Sequence, residues 1–182
     1  MKKFFALVWE VIKIVVLAAI IVLPIRYFLF QPFFVRGESM DPNFENGDYL
    51  IIDELSYRFR APERGEVIVF KYPENPSQRF IKRIIGLPGE TVEVKDGKVT
   101  IYSPGLPPQT LNELGYLPSG LETLGDIRAT LTEDEYFVLG DNRTFSLDSR
   151  RIGPVPRENI IGRVILRAWP FVAMAKIEAP SY

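Results

Sequence analysis

The sequence predicts a mainly β protein: a single N-terminal transmembrane helix followed by an all-β domain of antiparallel sheets that carries a loop-rich insertion. Three observations carry this expectation. Phe4 to Ile25 is almost wholly apolar, the chain beyond Gly37 breaks into short alternating or continuous apolar runs separated by turn residues, and that remainder lacks long amphipathic helical patterns. A chain of 182 residues has room for one anchor and one domain of ordinary size. The expected division is an anchor over 1–30 and a β-rich domain over 31–182, with an irregular insertion over 103–132.

The anchor comes first. Between Phe4 and Ile25 the only charges are Glu10 and Lys13, and Ile14 to Ile25 carries none. At 1.5 Å per residue this segment makes a helix of roughly 33 Å, about the hydrocarbon thickness of a bilayer. Glu10 and Lys13 are spaced to pair on one helix face near a membrane edge. Lys2 and Lys3 ahead of an apolar run also suit a cleaved secretory signal, but the run is long and continues into Arg26-Tyr27-Phe28-Leu29-Phe30 without a small-residue cleavage pattern. The same lysines place the N-terminus in the cytosol and the remainder outside, a bias softened by Arg26 and Arg36. Tyr27, Phe28, Phe30, Phe33 and Phe34 suit the far interface, and Pro24 and Pro32 bracket the helix exit.

Candidate strands follow at Tyr49–Ile52, Glu66–Lys71, Arg79–Ile85, Thr91–Lys95, Lys98–Tyr102, Tyr136–Leu139 and Ile160–Arg167. Thr91 to Ile101 alternates strictly around Asp96-Gly97, the strongest short-range hairpin pattern. Ser103 to Thr132 is rich in Pro, Gly, Leu and Thr without sustained periodicity, so it reads as an excursion between two parts of the sheet. Near the C-terminus, Trp169-Pro170-Phe171-Val172 forms an apolar patch that fits core packing or a second membrane contact equally well.

Composition excludes several chemistries. Hydrophobic residues make up 47% and charged residues 25% of the chain, a globular balance, and the net charge of −1 offers no basic field for nucleic acid. There is no histidine and no cysteine, which rules out a Ser-His-Asp triad, a Cys-His pair and the usual zinc ligand sets. A hydrolase built from this sequence must take its proton acceptor from Lys, Asp, Glu or Tyr.

Three segments are candidates for chemistry. Ser39 lies in Arg36-Gly37-Glu38-Ser39-Met40-Asp41-Pro42, a loop flanked by Gly and Pro that can present a hydroxyl beside free backbone N–H groups. A serine between turn residues is, taken alone, more often just a turn serine. Lys82 lies mid-strand in Phe80-Ile81-Lys82-Arg83-Ile84-Ile85-Gly86, where apolar neighbours would strip water from its amine and lower its pKa. The competing reading is a solvated strand face; Arg83 is no substitute, because a guanidinium does not deprotonate in proteins. Gly140 to Gly153 packs Asp141, Arg143, Asp148, Arg150 and Arg151 into a short stretch, which suits a buried ion-pair network more than a divalent-cation cage.

In this order after an N-terminal span, these segments resemble the bacterial type I signal peptidase family. The resemblance covers most of Gly37 to Arg163 and rests on four boxes: Ser39-Met40-Asp41-Pro42; Arg64-Gly65-Glu66-Val67; Lys82-Arg83-Ile84-Ile85-Gly86-Leu87-Pro88-Gly89-Glu90; and Gly140-Asp141-Asn142-Arg143 with Ser146 and Asp148-Ser149-Arg150. It implies a membrane-bound serine endopeptidase that needs no cofactor and no metal and cleaves exported preproteins after small residues, typically Ala-X-Ala, on the outer face of the membrane. By the same resemblance Ser39 is the nucleophile, Lys82 the general base and the Ser39 backbone N–H the oxyanion donor. Ser146 orients the lysine, Asp148 and Arg150 form a supporting salt bridge, and Asp141 and Arg143 belong to the same network. Three positions depart from the family pattern. Gly37 lacks the hydroxyl that some members carry two residues before the nucleophile, Asn43 replaces a common Thr, and Phe145 replaces a common polar residue. Two other readings compete: a self-cleaving Ser/Lys protease, which would carry a DNA-binding domain where this chain has a span, and an inactive tethered β domain that binds a partner.

Overall fold

A computed structural model describes residues 2–28, 30–180 and 182, with the side chains of 2, 3, 5, 6, 21–28, 30 and 31 outside the described set. Helix α1 covers Lys2–Phe28 over 27 residues. Its described large apolar side chains, among them Leu7, Trp9, Ile14, Leu17 and Ile20, face outward rather than into the β domain. Glu10 and Lys13 pair at 2.6 Å, as their spacing predicts. Among the described residues, no helix is long and apolar enough to cross a membrane. The charges of Lys2, Lys3 and Arg26, and the interface roles expected of Tyr27, Phe28 and Phe30, lie outside the described side chains.

The strands are β1 (Phe30–Phe34), β2 (Tyr49–Asp53), β3 (Val67–Tyr72), β4 (Asn75–Gly86), β5 (Thr91–Lys95), β6 (Lys98–Tyr102), β7 (Gln109–Thr110), β8 (Ile127–Thr130), β9 (Glu135–Leu139), β10 (Val155–Pro156), β11 (Ile160–Trp169) and β12 (Ala175–Lys176). The larger sheet has the order β1-β2-β11-β3-β4-β9-β10, with β12 added on β11, and the smaller one runs β7-β6-β5-β8. Every described pairing is antiparallel.

All seven predicted strands form, and the additions are informative. Phe30–Phe34, expected only as an interfacial segment, pairs with β2 from Phe30↔Asp53 to Phe34↔Tyr49. Pro32 is tolerated there because β1 is an edge strand. Nor does Pro24 end the helix, since α1 continues to Phe28. Within 103–132 lie β7 and β8, too short to show periodicity, which flank the predicted hairpin on both sides. That hairpin turns at Asp96 (φ 50°) and Gly97 (φ 74°), the pair of positive φ angles that a two-residue Asp-Gly turn requires.

The core explains why the central strands read as unbroken apolar runs. In β3, Val67 and Val69 join a cluster with Met40, Phe44, Leu50 and Ile81, while Ile68 and Phe70 face the opposite way into a second cluster with Tyr57, Ile84 and Val138. A strand buried on both faces has no position left for water. A third cluster lies against the smaller sheet, built from Ile85, Val92, Val94, Ile101, Phe137 and Leu139. The β4 strand therefore contributes to all three, through Ile81, Ile84 and Ile85. Any charged residue in its buried half must be satisfied from within the protein.

Candidate active site

Ser39 is placed by its neighbours. Met40 and Phe44, both 1% exposed, sink into the first core cluster, and their burial leaves Ser39 at the rim between them and the turn at Gly37 (φ 89°). The Phe44 N–H donates to the Met40 carbonyl at 2.9 Å. From the far side, Asn142 ties down the same loop: its N–H donates to the Ser39 carbonyl at 3.1 Å and its side-chain amide to the Glu38 carbonyl at 3.0 Å.

Lys82 lies on β4, opposite Ile68 of β3, and is only 3% exposed, which excludes the solvated-face reading. Its Nζ stands 2.7 Å from Ser39 Oγ and donates to the Ile81 carbonyl at 2.7 Å. The Phe80 ring centroid is 5.4 Å from Nζ. Burial pushes the Lys82 amine down from its ordinary 10.5 to about 8, against the opposing pull of the Asp148 and Asp141 charges. An amine with that pKa is about one-tenth neutral at pH 7.

The acidic stretch beyond Leu139 forms two separate ion pairs. Asp148 is fully buried and bound at both oxygens by Arg150, through Nε at 2.9 Å and Nη2 at 2.8 Å, while the Gly140 N–H donates to it at 3.0 Å. Burial pushes the Asp148 carboxyl up, but Arg150 and the Gly140 N–H outweigh it and hold the group below the usual carboxylate range. Asp141 is also fully buried and is gripped by Arg83, through Nε at 2.9 Å and Nη2 at 2.5 Å. Arg143 joins neither carboxylate and instead binds Glu113 at 2.6 Å, from the 103–132 stretch. Ser146 is buried beside Gly140; among the described residues its Oγ makes no well-formed hydrogen bond, but it lies close enough to Asp148 to help hold that carboxyl down. The structure thus brings Ser39 to Lys82 and Arg150 to Asp148 but forms no Ser146–Lys82 hydrogen bond.

Two contributors escaped the sequence reading. Arg83 was dismissed as a base, yet adjacent strand positions face opposite ways, so a second cation in the buried run of β4 required its own carboxylate. Asn43, which stands where the family commonly has Thr, donates to Asp141 at 2.9 Å and to the Tyr116 carbonyl at 2.7 Å. No local pattern marks such a long-range amide.

A groove of about 650 Å³ opens over the pair, with Pro32–Phe34 of β1 on one side, Ser77–Phe80 of β4 on the other, and Ser39, Lys82 and Leu147 within it. A second cavity, about 420 Å³ under Arg60, Glu66 and Arg163, contains neither Ser39 nor Lys82.

Known proteins match this chain over most of its length. The family model described as "Signal peptidase, peptidase S26" matches residues 8–169. Signal peptidase I of Leptolyngbya laminosa is 40% identical over 95% of this chain and 86% of its own length. Signal peptidase I V of Bacillus subtilis is 32% identical over 81% of this chain and 90% of its own. A crystal structure of a signal peptidase I from Enterococcus faecalis V583 aligns with a TM-score of 0.47 and 34% sequence identity, covering 57% of this chain and 97% of that one. A peptide-bond hydrolase is the class that the family model and the curated relatives define. Within it, the chain belongs to the signal peptidase I family.

Gly140 supplies a test of how tightly the site is built. A β-carbon there would collide with the Ser39 carbonyl oxygen and with Ser146 Oγ and Cβ. Gly140→Ala is expected to cost ~1–3 kcal/mol of stability through overpacking. It should also lower peptidase activity at least about tenfold by shifting Ser39 relative to Lys82. Thermal unfolding and kcat on the same preparation check both, and wild-type activity in the variant would show that the contact does not fix Ser39.

Proposed function

We propose that this chain is a membrane-anchored serine endopeptidase that removes signal peptides from exported preproteins, with Ser39 as nucleophile and Lys82 as general base. The observation that carries the reading is the 2.7 Å approach of Ser39 Oγ to a buried Lys82 amine whose pKa is pulled down to about 8. In its neutral form that amine accepts the Ser39 hydroxyl proton as Oγ attacks the scissile carbonyl. It then returns the proton to the departing amine, and in the second half it activates the water that hydrolyses the acyl-enzyme. Arg150 and Arg83 neutralise the two nearby carboxylates, which would otherwise favour the charged amine.

The developing oxyanion is served by the Ser39 backbone N–H, which makes no hydrogen bond among the described residues. Gly37 supplies no hydroxyl, and its own N–H is taken by Asn46 Oδ1 at 3.0 Å. Backbone amide is therefore the main donor. The groove between β1 and β4 suits an extended peptide, because an edge strand offers unpaired backbone groups to a partner strand. Small residues before the scissile bond, of the Ala-X-Ala kind, are the expected preference.

The anchor reading rests on the 27-residue length of α1, the uncharged run from Ile14 to Ile25, and the outward-facing apolar side chains. It places the anchor over 1–30 with its N-terminus in the cytosol, and the β domain over 31–182 on the outer face. A membrane-embedded substrate then meets the site at a fixed height above the bilayer. In cells expressing the full chain, alkaline carbonate should leave it in the membrane pellet; release into the supernatant would contradict the anchor.

Purified full chain in detergent should cleave a preprotein carrying an Ala-X-Ala site, and Ser39→Ala and Lys82→Ala should each lower the rate on the order of 10³-fold or more. The base works unprotonated, so kcat/KM should rise with pH through about 8. Full activity in Lys82→Ala, or a rate that is maximal near pH 5 and falls above it, would require a different base.

A further inference from the structure

The 103–132 stretch reaches into the back of the site with Glu113 and Tyr116 at its centre and Thr123 beside them. Arg143, whose side chain is 0% exposed, has five N–H donors, and all are engaged. Nε donates to the Gly140 carbonyl at 3.1 Å. The other four go to the stretch: Nη1 to Glu113 Oε2 at 2.7 Å and to Thr123 Oγ1, Nη2 to Glu113 Oε1 at 2.6 Å and to Tyr116 Oη at 3.1 Å. Tyr116 Oη in turn donates to Glu113 Oε1 at 2.5 Å.

Tyr116 also holds the other two segments of the site. The Arg83 guanidinium carbon lies 4.2 Å from its ring centroid, so the residue next to Lys82 on β4 rests on the tyrosine face while gripping Asp141. Its carbonyl accepts from Asn43, four residues past Ser39 in the nucleophile loop, and the same Asn43 amide reaches Asp141. The loop bearing Ser39, the strand bearing Lys82 and the Gly140–Asp148 turn therefore meet at Glu113 and Tyr116. Gly140 completes the link, because its backbone packs so closely on the Ser39 carbonyl that no β-carbon fits between them.

We infer that Glu113 and Tyr116 are positioning residues for the Ser39–Lys82 pair, acting through Arg143 and Arg83; the inference rests on the proposed roles of that pair. Neither touches the reacting atoms. Bidentate Arg–carboxylate contact fixes orientation as well as distance, and here it fixes the turn against which the nucleophile loop packs. With the clamp gone, the turn loosens and water reaches Lys82. Its amine, facing Asp141 and Asp148 with Arg83 and Arg150 as their counter-ions, then returns toward its ordinary 10.5.

The test uses the full chain in detergent, an Ala-X-Ala preprotein, and the pH dependence of kcat/KM. Glu113→Gln and Tyr116→Leu should each lower kcat about tenfold with KM within about twofold, and move the acid limb to higher pH by at least roughly half a unit. Glu113→Asp should recover part of both effects, and Asp126→Asn, an exposed change on the same stretch, should leave them unaltered. Folded Glu113→Gln with wild-type kcat and an unmoved limb would overturn the inference, as would a loss that only tracks the folded fraction. If Glu113→Gln does not fold, Tyr116→Phe decides, since it removes only the hydroxyl contacts: unchanged kcat and limb would overturn it. Activity surviving in Ser39→Ala would sink the dyad reading itself, whereas an inactive Ser39→Ala beside a normal Glu113→Gln would sink the positioning role alone.

Discussion

Lys82 is an amine held out of water in the middle of a strand, and the rest of the site follows from what that burial demands. Desolvation favours the uncharged form, so the same packing that removes the lysine from solvent also lowers its pKa toward neutrality. Burial alone would not suffice, because a neutral amine still needs hydrogen-bond partners. The Ile81 carbonyl and the Ser39 hydroxyl provide them. The Ser39 hydroxyl is thus one of the two groups that keep the Lys82 amine satisfied, and the constraint runs in both directions.

Around that amine the protein places two buried carboxylates, each already bound by an arginine. An unpaired Asp148 or Asp141 would stabilise the ammonium form, so Arg150 and Arg83 bear on the state of the Lys82 amine as much as on the fold. Breaking a buried pair by removing one partner typically costs ~3–5 kcal/mol, because the charge left behind has no water to turn to. One of the two pairs also spans distance in sequence: Arg83 on β4 meets Asp141 beyond β9, which locks the strand carrying Lys82 to the turn that backs the Ser39 loop.

Much of this was legible in the sequence, for identifiable reasons. The hairpin around Asp96-Gly97 is written in local alternation and turn chemistry, and it forms with the expected ends. The absence of histidine and cysteine narrowed the base to a few residue types before any geometry was known. The pairing of Asp148 with Arg150, implied by the family resemblance, forms two residues apart. What stayed hidden depends on long-range partners. Nothing near Glu113 marks it as the recipient of Arg143, thirty residues on, and Pro32, which reads as a bracket to the helix exit, lies in a strand because β1 is at a sheet edge. Ser146 is the reverse case: the family pattern assigns it to the lysine, while its hydroxyl is buried against Gly140 and lies toward Asp148 rather than bonding Lys82.

The central claim is that Lys82 is a lysine of lowered pKa because it is buried against Ser39. Heteronuclear NMR of side-chain-labelled lysine, with Lys82 assigned by substitution, measures that value directly and independently of turnover. Titration of the Lys82 amine near 8 is the predicted result. A midpoint at the ordinary 10.5, with the amine charged throughout the neutral range, would contradict it.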